Sequence, residues 1–254
     1  MMNKKMMKLA AVIMGVVMLV LATGISATAE GEVFKMGIDA EYPPFSYLDD
    51  NGEYAGFDVE MCKGVCDQYG WTLEIVPVNW DTKLISLDNK EHDCVWSGMT
   101  ILDTMKEAGY VLSAPYFDNS QVILTKKDSG ITTLADLAGK RVAVQLGTSG
   151  QALLEDEEGQ LALAQTFEGG APVTMENFNI CGTELDAGGV DAVVIDLPVA
   201  QNLAAKFAGF QILEETLGNE CSLDAVQSVQ EKALQRVSRM TGSLPELQAG
   251  PYWK

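Results

Sequence analysis

Short apolar runs alternate with stretches of helical spacing along most of this chain. Met36-Gly37-Ile38 is a strand-like run ending at Asp39, and Pro43-Pro44 excludes a helix or central strand directly after it. Asp49, Asp50, Asn51 and Gly52 make a turn cluster that closes a small hairpin. Gly56-Phe57-Asp58 then precedes Val59, Met61, Cys62, Val65 and Cys66, whose spacing predicts a helix. Residues 71–78 (WTLEIVPV) predict a strand, residues 82–87 a helix, and residues 92–96 another short strand that runs into Ser97-Gly98-Met99-Thr100. Two βαβ-like units so close together imply a largely parallel sheet with helices on its faces. Asp39, Tyr42 and Phe45 then fall on a loop at a strand's C-terminal end, where open α/β sheets bind ligands.

The pattern repeats further on. Residues 116–125 predict a strand, Lys126 to Gly130 a polar connector, and residues 132–139 a short helix. Residues 141–146 (RVAVQL) predict a core strand that ends at Gly147-Thr148-Ser149-Gly150, immediately before a helix. Such a turn is either an anion-binding nest of backbone N–H groups or an ordinary N-cap by Thr148 or Ser149. Residues 191–195 (DAVVI) form a buried-strand pattern, Asp196 ends it, and Pro198 opens the next helix. Asp196 can be a ligand-binding acid or a plain helix cap.

Charge and composition narrow the classes. Lys4, Lys5 and Lys8, an apolar run over residues 9–21, and Ala27-Thr28-Ala29 predict a cleavable signal peptide over residues 1–29. Its removal takes three lysines and moves the formal charge from −19 to −22, so no nucleic-acid partner is expected. No cysteine lies near the cleavage site, so no lipid anchor is expected. The five cysteines (Cys62, Cys66, Cys94, Cys181, Cys221) are scattered and read as buried thiols rather than a disulfide framework. His92 and Cys94 have no second pair to complete a metal set. His92 is the sole histidine and shows no nucleophile beside it in sequence, so neither catalytic residues, nor a metal, nor a cofactor are expected.

The stretch MGIDAEYPPFSYLDDNGEYAGFDVEM resembles the first lobe of type II periplasmic binding proteins, specifically the polar amino-acid binding subunits of ABC importers. That family carries D-x-x-Y-P-P-F, a short hairpin, then G-F-D-V-D at a helix start. Asp93 to Ile101 is similar to its D-x-x-x-S-G-M-T-I, and the Gly147-Thr148-Ser149 turn and the Asp191–Asp196 run match two further segments in order. The resemblance implies a two-lobe α/β fold, each lobe a mostly parallel sheet flanked by helices, joined by a two-strand hinge. Lobe 1 would span residues 30–120, lobe 2 residues 121–215, and residues 216–254 would return to lobe 1 with a divergent tail. Ser97, Gly98, Thr100 and the Gly147–Ser149 turn would hold a ligand α-carboxylate, and Asp196 its α-ammonium. Tyr42, Phe45 and Trp80 would wall the site, with Asp39 at the ligand's distal end.

Two departures from that pattern stand out. Met105 occupies the place of the arginine that forks onto the carboxylate, and the chain's three arginines (Arg141, Arg236, Arg239) all lie elsewhere. After Glu220 the resemblance stops, and no strand returning through the hinge is expected. The function implied is capture of a small polar ligand, an amino acid, by an extracytoplasmic monomer that delivers it to an ABC-importer permease. The alternative is an enzyme on the same fold, dehydratase-like, acting on a small carboxylic acid.

Overall fold

The computed structural model describes residues 32–227, with side chains through residue 218. The predicted signal segment, the Cys221 thiol and residues 228–254 lie outside what is described. Apolar alternation sets the first strand, β1 (Val33–Ile38), with Phe34, Met36 and Ile38 fully buried. The proline pair then turns the chain, and a three-stranded hairpin sheet follows: β2 (Glu41–Tyr42), β3 (Ser46–Leu48) and β4 (Tyr54–Ala55). Asp49 organises the predicted turn, because its carboxylate accepts from the backbone N–H of Asn51 (2.8 Å) and Glu53 (2.9 Å). Helix α1 (Phe57–Tyr69) buries Val59, Met61, Cys62, Val65 and Cys66 and stops at Gly70 in the left-handed conformation.

Strand β5 (Thr72–Pro77), a 3₁₀ turn (Trp80–Thr82), α2 (Lys83–Asp88) and β6 (Cys94–Thr100) complete the first parallel group. β1 pairs in parallel with both β5 and β6. Short helix α3 (Asp103–Glu107) and β7 (Val111–Leu112) lead to the long strand β8 (Phe117–Lys126). A second parallel group follows: β9 (Val142–Gln145), α4 (Ser149–Glu155), α5 (Leu161–Ala164), β10 (Val173–Met175), α6 (Phe178–Ala187), β11 (Ala192–Asp196) and α7 (Leu197–Lys206). Here β9 pairs in parallel with β10 and β11. Ile123, Leu137, Val142, Val144 and Val194 form one apolar cluster, while a larger one runs from Phe34, Trp96 and Val65 into the second group at Ala143, Phe178 and Val193.

One expectation is overturned at the chain's return. Strand β12 spans Phe210–Gln227, so a strand does continue past Glu220. It runs antiparallel to β8 and then to β6, with Leu223 opposite Thr100. Residues 221–227 lack the expected motif, but strand pairing needs only backbone donors and acceptors in register. A continuous sheet in the order β10-β9-β11-β8-β12-β6-β1-β5 results, with the two long antiparallel strands joining the two parallel groups. The strand predicted at residues 92–96 continues through Thr100.

Candidate functional site

A narrow cavity lies where both groups end, with about 330 Å³ of empty space including its mouth. Tyr42, Trp80, Gly98, Thr100, Met105, Gly147, Thr148, Ser149 and Asp196 line it, together with Lys83, Met99 and Leu102. Nine of the twelve residues singled out from sequence therefore surround one space. The other three do not.

Phe45 is 1 % exposed and packs edge-on against Phe117 and Phe57, so it belongs to the core beneath Tyr42. The Ser97 hydroxyl is bonded to Ser46 (2.5 Å) and accepts from the Asp39 N–H (3.0 Å), which makes it an internal strut. Asp39 directly follows β1 but is not part of the cavity lining. Its carboxylate accepts from Gln145 Nε2 (2.7 Å) and from the Glu41 N–H (2.9 Å), and burial raises its pKa. The Asp39–Gln145 bond ties the first parallel group to the second.

Asp196 follows the last residue of β11's apolar run and sits at the N-cap of α7, yet its side chain makes no cap bond. Instead Gln121 Nε2 (2.7 Å) and Asn119 Nδ2 donate to it from alternate positions of β8, which face the same way. Tyr42 donates a third bond. Burial first, and the Asp196 charge next, push the Tyr42 hydroxyl well above its ordinary range, so it stays a donor. The helix-cap alternative is thus excluded, and Asp196 faces the cavity.

Two glycines allow the close approaches. Gly98 has φ +55°, and a Cβ there would fall 2.6 Å from Tyr42 Cε1. Gly147 has φ +74°, and a Cβ there would fall 2.7 Å from Asp81 Cα on the opposite group. Larger residues at either would combine strain with a clash.

Several expected anion donors are already used. The Gly98 N–H donates to Asp58 Oδ2 at 2.6 Å, beneath the cavity. Asp58 also accepts from the Tyr116 hydroxyl (2.9 Å), and full burial raises its pKa to about 7. The Thr148 hydroxyl donates to Gln145 O (2.7 Å) and accepts from the Gln151 N–H (3.3 Å), the ordinary cap of α4. The Gly147 N–H donates to Gln151 Oε1 (2.7 Å). Met105 does face the cavity, packed with Trp80, Leu87, Val95 and Met99, while neighbouring Lys106 turns outward to Asp103.

Lys83 is the residue that sequence reasoning missed. It is 6 % exposed, and its ammonium donates to Trp80 O (2.9 Å) and to Gly147 O (2.7 Å) while lying 4.6 Å from the Trp80 ring centre. Its position three residues after Trp80 was the available signal, since such pairs share one side of a helical turn. Burial brings its pKa down to about 8 against the opposing pull of Asp81 and Asp39.

His92 does have a partner, contrary to its isolated look in sequence: Ser86 Oγ lies 2.9 Å from Nε2. Nδ1 lies 3.0 Å from the Cys94 carbonyl, so it carries the proton and the ring is held by backbone rather than by a carboxylate. His92 is buried beside Gly37, Ser86 is half-buried, and neither lines the cavity. Cys62, Cys66, Cys94 and Cys181 are free, buried thiols, and no metal-competent cluster occurs among the described residues.

A sequence profile of the bacterial extracellular solute-binding proteins, family 3, matches residues 34–246. The chain belongs to that family. The match runs well past Glu220, so the family relationship extends beyond the point where the motifs stop. The L-cystine-binding protein TcyJ of Escherichia coli is 32 % identical over 207 residues, 76 % of this chain and 74 % of that one. ABC transporter arginine-binding protein 1 of the same species is 29 % identical over 180 residues, 70 % of this chain and 69 % of that one. Among solved structures, an ABC uptake transporter substrate-binding protein from Streptococcus pneumoniae with bound histidine superposes with TM-score 0.79 at 27 % identity, covering 85 % of this chain and 87 % of that one. The holo form of ArgBP from T. maritima gives 0.73 at 33 % identity, covering 87 % and 92 %. The fold is that of the type II periplasmic binding proteins.

Proposed function

We propose that this protein is an extracytoplasmic receptor that captures an α-amino acid in the cavity and hands it to an ABC-importer permease. The observation that carries the reading is the pairing of groups in one lining. Tyr42 and Trp80 supply aromatic walls, and Asp196 supplies a buried acid for the ligand's ammonium. The relatives named above bind arginine, cystine and histidine, which are small zwitterions of this kind. Lobe 1 is assigned to residues 30–120 and lobe 2 to residues 121–215, with β8 and β12 as the crossing strands about which the lobes close. The Asp39–Gln145 and Lys83–Gly147 bonds hold the closed arrangement. A monomer exported by cleavage after Ala29 fits this role, and Ala29 itself lies outside the described residues. The enzyme alternative has no support in the site, because the Ser86–His92 pair lies off the cavity lining.

Titration calorimetry of the secreted protein against L-arginine, L-histidine, L-cystine and the remaining protein amino acids tests the reading, with mass spectrometry of the recovered ligand. The expected result is saturable binding of at least one amino acid, recovered unchanged. No binding across the panel, or chemical turnover, would overturn it.

A further inference from the structure

We propose that Lys83 is the residue that recognises the ligand's carboxylate, in the role that a cation at position 105 would otherwise fill. The inference rests on the cavity being an amino-acid site and adds the group that sets its preference for acids.

Three observations lead there. Met105 lines the cavity and carries no charge. The Gly98 and Gly147 N–H groups and the Thr148 hydroxyl, which are donors expected to meet an anion, are all engaged within the protein. Lys83, by contrast, is a buried cation in the same lining whose partners are two carbonyl oxygens. An ammonium has three N–H donors, so one remains beyond Trp80 O and Gly147 O. Among the described residues no carboxylate oxygen lies within 4.0 Å of Nζ.

A buried ammonium without an acid is costly, and carbonyl dipoles offset only part of that cost. A ligand carboxylate would complete the pair and restore the charge that burial weakens. Because Lys83 belongs to α2 and reaches Gly147 before α4, the same cation touches both parallel groups. Closure and carboxylate recognition are thereby coupled in one side chain. A lysine provides a point charge rather than a planar fork, so orientation would be less strictly fixed than with arginine.

The test uses whichever of L-arginine, L-histidine and L-cystine the wild type binds most tightly, together with its carboxamide (L-argininamide, L-histidinamide or L-cystine diamide). Wild type is expected to prefer the acid by about 10- to 100-fold, the range of a hydrogen bond between charged groups. Lys83→Met should lose acid affinity by a similar factor, keep its amide affinity, and so lose the preference. Lys83→Gln, which keeps neutral donors, should behave like Lys83→Met and serves where the methionine variant does not fold. A variant that retains the wild-type preference overturns the proposal. So does parallel weakening of acid and amide, which would make Lys83 only a latch on Gly147. Wild type binding none of the three acids would instead remove the amino-acid reading itself.

Discussion

The ends of β1 and β11 look alike in sequence and behave differently in the structure. Each is an apolar strand closed by an aspartate, Asp39 and Asp196, and both carboxylates are almost fully buried. Asp39 is met by Gln145 from the other parallel group and becomes a brace between them. Asp196 is met by Asn119 and Gln121 from the neighbouring strand and by Tyr42 from the opposite side, and these hold it in the cavity wall. An acid at a strand end thus becomes part of the cavity wall or a brace according to which neighbour reaches it.

The largest expected effect separates the two. Asp196→Asn should weaken amino-acid binding by roughly 2–4 kcal/mol, because the ligand's ammonium loses a desolvated partner. Asp39→Asn should leave affinity within about 0.5 kcal/mol and change stability by about 1 kcal/mol, the worth of one hydrogen bond. Calorimetry beside thermal melts reads both, and equal affinity losses would erase the distinction.

Asp58 is a third buried acid and sharpens the comparison, since it supports Gly98 from below. Its pKa of about 7 when folded exceeds the ordinary 3.8, so the folded chain keeps a proton that the unfolded chain releases. Stability from this group is therefore full below about pH 4 and is lost as pH rises through 7, by roughly 4 kcal/mol. Denaturant melts of wild type and Asp58→Asn from pH 4 to 8 should differ by that slope. Identical pH profiles would show that Asp58 does not titrate there.

A smaller effect probes how the cavity's cation can be moved. In a Lys83→Met background, Met105→Arg should regain roughly 1.5 kcal/mol of acid affinity, because position 105 also lines the cavity. No recovery would mean that the two positions address different parts of the ligand. The smallest effect concerns Thr148. Thr148→Ala should cost about 1 kcal/mol of stability as a lost N-cap, with affinity nearly unchanged.

Strand and helix order was readable from apolar spacing, because central strands such as β9 and β11 are buried on both faces and helices such as α1 on one. The cavity's position was readable too, since strand ends and glycine turns converge there. Three kinds of feature were not. Phe45 and Ser97 sit in motif positions, but whether a side chain faces core or cavity depends on partners distant in sequence, such as Phe117 and Ser46. Lys83 was hidden because a lysine on a short helix normally points to water, and only the approach of Gly147 buries it. Strand β12 was missed because its pairing lies in the backbone, which can join a sheet without the expected side chains.

The most direct test is a crystal structure of the secreted protein with the amino acid that binds most tightly in calorimetry. The ligand's ammonium is expected within hydrogen-bond distance of Asp196, its carboxylate against Lys83, and its side chain between Tyr42 and Trp80. A ligand bound in the reverse orientation, or outside this lining, would contradict the account.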